Sequence, residues 1–169
     1  MPVTTKTPLG AATLNRKWRV DVNTGTYAAP NWIPLLGMAE FTSSTEADTQ
    51  DTSDFDSGGW KSETVTALAW GVEGKLGRKV KVANPAAYDD AQELLRLAAV
   101  QIGEGNVVDI RYYEYGGPGR PTVEAYRGFV GVQWSDDGGD MTATATTTLT
   151  LSGQGERTPI THPAAEATA

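Results

Sequence analysis

Cysteine is absent from the 169 residues of this chain, which excludes a disulfide framework and all thiolate chemistry. Histidine occurs once, as His162 between Thr161 and Pro163 in a Pro/Ala/Thr-rich tail. A lone tail histidine has no evident partner for acid–base work, and any Ser/His/Asp set would have to use it. No apolar run approaches the roughly 18 residues that a membrane span requires. The opening "MPVTTKTPLGAATLN" lacks the apolar stretch of a signal peptide, so the chain reads as made and folded in the cytosol. Basic residues are scarce, 14 Lys and Arg against 21 Asp and Glu, for a net charge of −7. Tight non-specific binding to nucleic acid needs the opposite balance. An acidic protein can still lie beside DNA and repel it.

What is present suits one globular domain: 39% apolar and 21% charged residues, in a length that supports a real core. "RKWRVDV" (16–22) alternates as a half-buried strand. "YAAPNWIPLLGMAEF" (27–41) holds one or two short strands broken by Pro30 and Pro34, which suit sheet edges. "ETVTALAWGVEG" (63–74) places Thr64, Thr66, Leu68, Trp70 and Val72 on one face. "KLGRKVKVA" (75–83) reads as a basic strand with Lys75, Arg78, Lys79 and Lys81. One helix is expected over about 84–102, with Asn84 as cap, Pro85 in its first position and Gly103 and Gly105 after its end. Strands follow at 106–115, 122–134 and 141–152, the last two joined by the turn "SDDGGD". In 141–152, Thr142, Thr144, Thr146, Thr148 and Thr150 share one face. Seven or eight strands and one helix imply a mainly β protein, an antiparallel β-sandwich or half-barrel with a flanking helix.

The stretch "TSSTEADTQDTSDFDSGGWKSETV" (42–65) interrupts this pattern. Glu46, Asp48, Asp51, Asp54 and Asp56 precede its first basic residue, Lys61. It reads as a long acidic inter-strand loop over about 42–62. As a calcium loop it fails: with Asp54 as first ligand the twelfth position is Val65, where a bidentate Glu is needed. Its carboxylates lie in polar surroundings that would not raise a pKa for catalysis. No phosphate-cradling glycine loop opens the helix, and neither an enzyme nor a cofactor is indicated. The four cations of 75–81 are a natural electrostatic partner for an acidic surface.

In its order of features the chain resembles the major tail (tail tube) proteins of long, flexible-tailed bacteriophages. The matching pieces are "RKWRVDV", "WIPLLGMAEFTSST", "DSGGWKSETVTALAWGVEGKL", the helix "PAAYDDAQELLRLA" and the closing Thr-rich hairpin, spanning about 9 to 153. The resemblance implies a structural virion protein whose subunits join sheets into hexameric rings, stacked as a tube through which DNA is ejected without specific binding. Implied partners are other copies of the chain and the tape measure, tail tip and terminator proteins. No membrane is implied. The expected organisation is a flexible arm over 1–14, one tube domain over 15–153 and a flexible tail over 154–169.

In such tubes the loop between two long strands reaches a neighbouring subunit or ring. Glu46, Asp48, Asp51, Asp54 and Asp56 then face outward to a neighbour, with Lys75, Arg78, Lys79 and Lys81 as electrostatic partners. The Thr142–Thr150 face is a candidate lumen lining; it reads equally as a solvent-facing strand chosen for β propensity. A loop without any partner, another virion protein (head–tail joining or decoration) and a stand-alone binding module remain open alternatives.

Overall fold

A computed structural model describes residues 9–56 and 58–166. Most of the expected N-terminal arm, residues 1–8, and the last three residues of the tail lie outside that range. The elements are β1 (Trp18–Asn23), β2 (Trp32–Pro34), β3 (Met38–Asp51), β4 (Glu63–Gly77), α1 (Asp90–Ala98), β5 (Val107–Glu114), β6 (Ala125–Asp136), β7 (Thr146–Gly153), β8 (Thr158–Pro159) and α2 (Pro163–Glu166). All strands belong to one antiparallel sheet in the order β2-β1-β5-β6-β7-β4-β3, with β8 added beside β6. The sheet curls without closing. Trp18 of β1 stacks on Phe41 of β3 at 4.8 Å between ring centroids, although the two strands stand near opposite ends of the order.

Strand alternation creates the core. Val20, Val22, Ile110, Tyr112, Val130, Val132, Leu149 and Leu151 recur at every second position and are buried. Tyr112 is the hub, with Trp18, Phe41, Trp70 and Tyr126 all within 6.3 Å of its ring. α1 joins this core through Ala91, Leu95 and Ala98.

The helix is shorter than the sequence pattern suggests. Asn84 does not cap it. Its side chain accepts from Ala86 N–H in a separate turn, and Val80 bridges to Tyr88 in extended backbone. Asp89 is the true cap, accepting from Gln92 N–H at 3.1 Å. The helix stops at Ala98, whose carbonyl accepts from the Asn106 amide. The same amide also donates to Val132 O, and Asn106 Oδ1 accepts from Val132 N–H, so one side chain ties the helix end to β6. Ile102, at the end of the range expected to be helical, lies beyond the helix and is 94% exposed.

After Gly153, where the sequence reads as a loose tail, the chain returns to the body. β8 pairs with β6. His162 is buried, with Nε2 at 2.7 Å from Glu114 O and Nδ1 accepting from Ala164 N–H. This histidine is a packing residue whose ring meets Tyr113 edge-on.

Glu114 closes the same corner. Burial opposes its charge, but Lys17 Nζ at 2.6 Å and the N–H groups of Val123 and Glu124 outweigh that and hold its carboxyl below the ordinary range. Glu93, bonded by Arg96 and Arg78, is lowered too. A lowered folded pKa contributes stability that is present above the unfolded value and lost as pH falls through the folded one. The urea midpoint is therefore expected to be flat near neutrality and to drop below about pH 4.3. Glu114→Gln should lower the neutral midpoint and flatten the acid drop; an unchanged profile would contradict this account of the corner.

Candidate functional site

The region without a core of its own is the β3–β4 hairpin. β4 pairs with β7 only over Gly71–Gly77. Residues 45–51 and 63–70 therefore pair only with each other, and all but Trp70 are exposed. Seven residues of strand make an arm of roughly 20 Å beyond the body. The acidic stretch is thus mostly strand. β3 runs to Asp51 and β4 begins at Glu63; of the residues between them, 52–56 and 58–62 are described and lie outside any strand. The reason is local: Thr42, Thr45 and Thr49 favour extended backbone, and an edge strand leaves Glu46 and Asp48 in water.

Glu46 and Asp48 share one face of the arm with Ala67 and Ala69. A register shift after Asp48 leaves Thr66 out of the pairing. Val65, opposite Thr49, then joins Ala47 and Leu68 on the other face, where simple alternation would have separated it from Leu68. Asp51 closes the strand and accepts from Ser53, whose hydroxyl and N–H hold its carboxyl below the ordinary value. Asp54 accepts from Asp56 N–H in the tip. The tip also exposes Phe55 and Trp60 fully or nearly so. Lys61 pairs with Glu63.

The expected basic strand does not form. β4 ends at Gly77, and residues 78–83 lead into a bend. Three of its four cations serve the body. Lys75 lies 3.6 Å from Asp137, Arg78 bonds Glu93 at 2.6 Å and covers the Tyr88 ring at 4.0 Å, and Lys81 bonds Asp90 at 2.7 Å. Lys79 is exposed and makes no ion pair among the described residues. None of the four meets the acidic arm. Asp90 and Glu93, fixed on α1 9 and 15 residues along the chain from Lys81 and Arg78, and Asp137 after β6 take these cations before the arm can.

A cationic surface that the sequence pattern does not single out lies at the start of β1. Arg16, Lys17, Arg19 and Arg120 line a groove of about 310 Å³ with Leu14, Tyr115 and Pro121. Lys17 is committed to Glu114. Arg19 donates to the carbonyls of Arg16 and Trp18. Arg16 and Arg120 are exposed and face no carboxylate among the described residues. "NRK" and "PGRP" lie about a hundred positions apart, so only the β1–β5 pairing brings them together.

The hydroxyl face is partly as expected and partly larger. β7 starts at Thr146, so Thr146, Thr148, Thr150 and Ser152 share its outer face. Thr142 and Thr144 fall in the preceding loop, where Asp140 captures the Thr142 N–H and hydroxyl. Cross-strand register then extends the face: Thr42 and Glu73 stand in line with Thr150 and Gln133, and Ser44 and Gly71 with Ser152. Asp137 accepts from the Thr146 and Thr148 hydroxyls, which, followed by Lys75, keep its carboxyl lowered. The face thus carries hydroxyls, Glu40 and Glu73, and its one lysine is already paired.

Two sheet edges are open. At one, β2 is three residues long and contains Pro34, as the prolines suggested. At the other, β3 presents 14 residues without proline. Asn15 Nδ2 reaches the Phe41 carbonyl on that strand. No group of three or more His, Cys, Asp or Glu among the described residues is placed to hold a metal ion. No helix among them is long and apolar enough to cross a membrane.

No protein-family model and no curated protein matches the chain. Solved structures do. One is a chain in the virion of a native gene transfer agent particle: 14% identity, TM-score 0.67, 89% of this chain and 100% of that one. A second comes from the tail of an empty gene transfer agent particle with C6 symmetry: 12% identity, TM-score 0.64, with the same coverage. A third belongs to the tube-terminating cap of the anti-feeding prophage: 13% identity, TM-score 0.59, 95% of this chain and all of that one. The chain shares one fold with these tail and tube components across nearly its whole length.

Proposed function

We propose that this protein is a structural, non-catalytic subunit of a tail tube, built as hexameric rings that stack into the conduit for DNA in a phage of the long, flexible-tailed type. The observation that carries this reading is the β3–β4 arm, a two-stranded ribbon projecting from a body that has the fold of tail chains. An isolated two-stranded ribbon is marginal in water. Such an arm is worth its ordering cost when a neighbour covers it. The proline-free β3 edge supplies the second contact, by sheet extension between subunits.

The body, residues 15–153, is the tube domain, with residues 1–14 and 154–169 as its flanks. The carboxylates of Glu46, Asp48, Asp51, Asp54 and Asp56 make the inter-subunit surface acidic. The hydroxyl face, with Thr146, Thr148 and Thr150 at its centre, lines the lumen. The tape measure occupies that lumen during assembly, and terminator and tail tip proteins cap the ends. The protein is made in the host cytoplasm and resides in the virion. A second reading, a ring that ends a tube, is favoured by the likeness to the terminating cap. It leads to one discrete ring instead of extended tubes.

Sedimentation against concentration tests self-association: large species should grow with protein concentration, and monomer under every condition would refute the reading. A lumen that lets DNA slide offers no counter-charge. At −7 per chain, no measurable affinity for duplex DNA is expected at physiological salt. A tight, salt-sensitive complex in a filter-binding assay would contradict the lumen assignment.

A further inference from the structure

The acidic arm needs a cationic receptor, and the segment that the sequence offers for it is occupied. Lys75, Arg78 and Lys81 are held by Asp137, Glu93 and Asp90. In the groove at the start of β1, Lys17 is taken by Glu114 and Arg19 bonds two carbonyls, but Arg16 and Arg120 face no carboxylate among the described residues. We infer that this groove, on a second copy of the chain, receives the tip of the arm. The inference rests on the self-assembly reading and names its contact.

Reach excludes the chain's own arm. The groove is fixed to the root of β3: Asn15, next to Arg16, bonds the Phe41 carbonyl, and Trp18 stacks on the Phe41 ring. From Phe41 to Asp51 the strand runs ten residues, each paired with β4, interrupted only by the register shift that skips Thr66. At about 3.3 Å per residue the tip stands roughly 30 Å from the groove. A tip so held meets this groove only on another molecule.

Complementarity identifies the occupant. Beyond the sheet the arm carries Glu46, Asp48, Asp51, Asp54, Asp56 and Glu63 against Lys61 alone. The groove offers guanidinium groups over an apolar wall of Leu14, Tyr115 and Pro121. The tip brings aromatic surface as well as charge, since Phe55 and Trp60 are exposed. Arginine accepts both, pairing with carboxylates and stacking on rings. The competing site is the apolar groove beside β2, which includes Leu36, Val80 and Val82. Its cations are fewer: Lys81 is paired and Lys79 alone makes no ion pair among the described residues, and Asp89 and Asp90 stand beside them.

The cysteine-free chain permits a direct test. Oxidising D56C/L14C under assembly conditions should give a ladder of covalent multimers, whereas D56C alone gives at most dimers. A ladder from D56C/V82C in place of D56C/L14C would overturn the inference in favour of the apolar groove. R16E/R120E changes two exposed side chains, so it should melt like wild type yet sediment as assemblies at least tenfold less. Mixing it with D51K/D54K/D56K should restore assembly, because each then supplies what the other lacks. Assembly of R16E/R120E at the wild-type level refutes the contact but leaves self-association standing. Failure of wild type to assemble at all refutes both. Wild-type binding of duplex DNA that R16E/R120E abolishes would make the groove a phosphate site and overturn the inference.

Discussion

Replacing Trp70 with alanine should lower the unfolding free energy by about 4 kcal/mol, the largest single-residue effect expected in this chain. Trp70 is the last arm residue that reaches the core. It is 8% exposed, its ring lies 6.1 Å from that of Tyr112, and its indole N–H donates to Gly155 O at 2.8 Å. The sheet is shaped around it: a Cβ on Gly153 would stand 2.4 Å from the indole, and one on Gly128 2.5 Å. Removing the ring leaves a cavity under β6 and β7 and frees the root of the arm. Total stability of a domain is typically about 5–15 kcal/mol, so this variant should unfold well below wild type. Urea denaturation decides it; a loss under about 1 kcal/mol would mean that the slot collapses without cost.

The variant D48N/D51N/D54N/D56N should behave in the opposite way. These side chains are exposed and lie outside the core. Surface substitutions of this kind usually change stability by less than about 0.5 kcal/mol each, so the melting curve should stay close to that of wild type. Assembly should nevertheless fall sharply, because in the proposed tube the same four charges recur at each contact. A single exposed ion pair contributes only about 0–1 kcal/mol, but repetition multiplies it. Salt should weaken wild-type assembly and affect the variant little, since screening acts on charges already removed. Early melting would place the carboxylates in the fold. Tubes at every ionic strength would make them ordinary surface charge.

Alternation at 16–22 marks β1, and the runs at 106–115 and 122–134 mark β5 and β6, because these strands bury apolar side chains at every second position against the core. The arm was harder. Its residues are exposed on both faces, so no burial pattern marks 42–51 as strand, and its acidity suggested a loop. The register shift at Thr66 is likewise silent in the sequence, being a property of two strands together. Asn-Pro at 84–85 has the chemistry of a helix start, but Asp89 caps the helix instead because Val80 bridges Tyr88 and keeps 84–88 out of it. The cations of 75–81 were visible as a cluster, but their partners Glu93, Asp90 and Asp137 come from other elements. The Arg16–Arg120 groove and the spread of the hydroxyl face to Thr42 and Ser44 arise from strand pairing across long stretches of chain, which no local window contains.

Electron microscopy of the purified wild-type protein, across concentration and at low and high salt, bears most directly on the central proposal. It should show rings with six subunits that stack into hollow tubes, shorter and fewer at high salt. A uniform population of monomers at every concentration and ionic strength would contradict it.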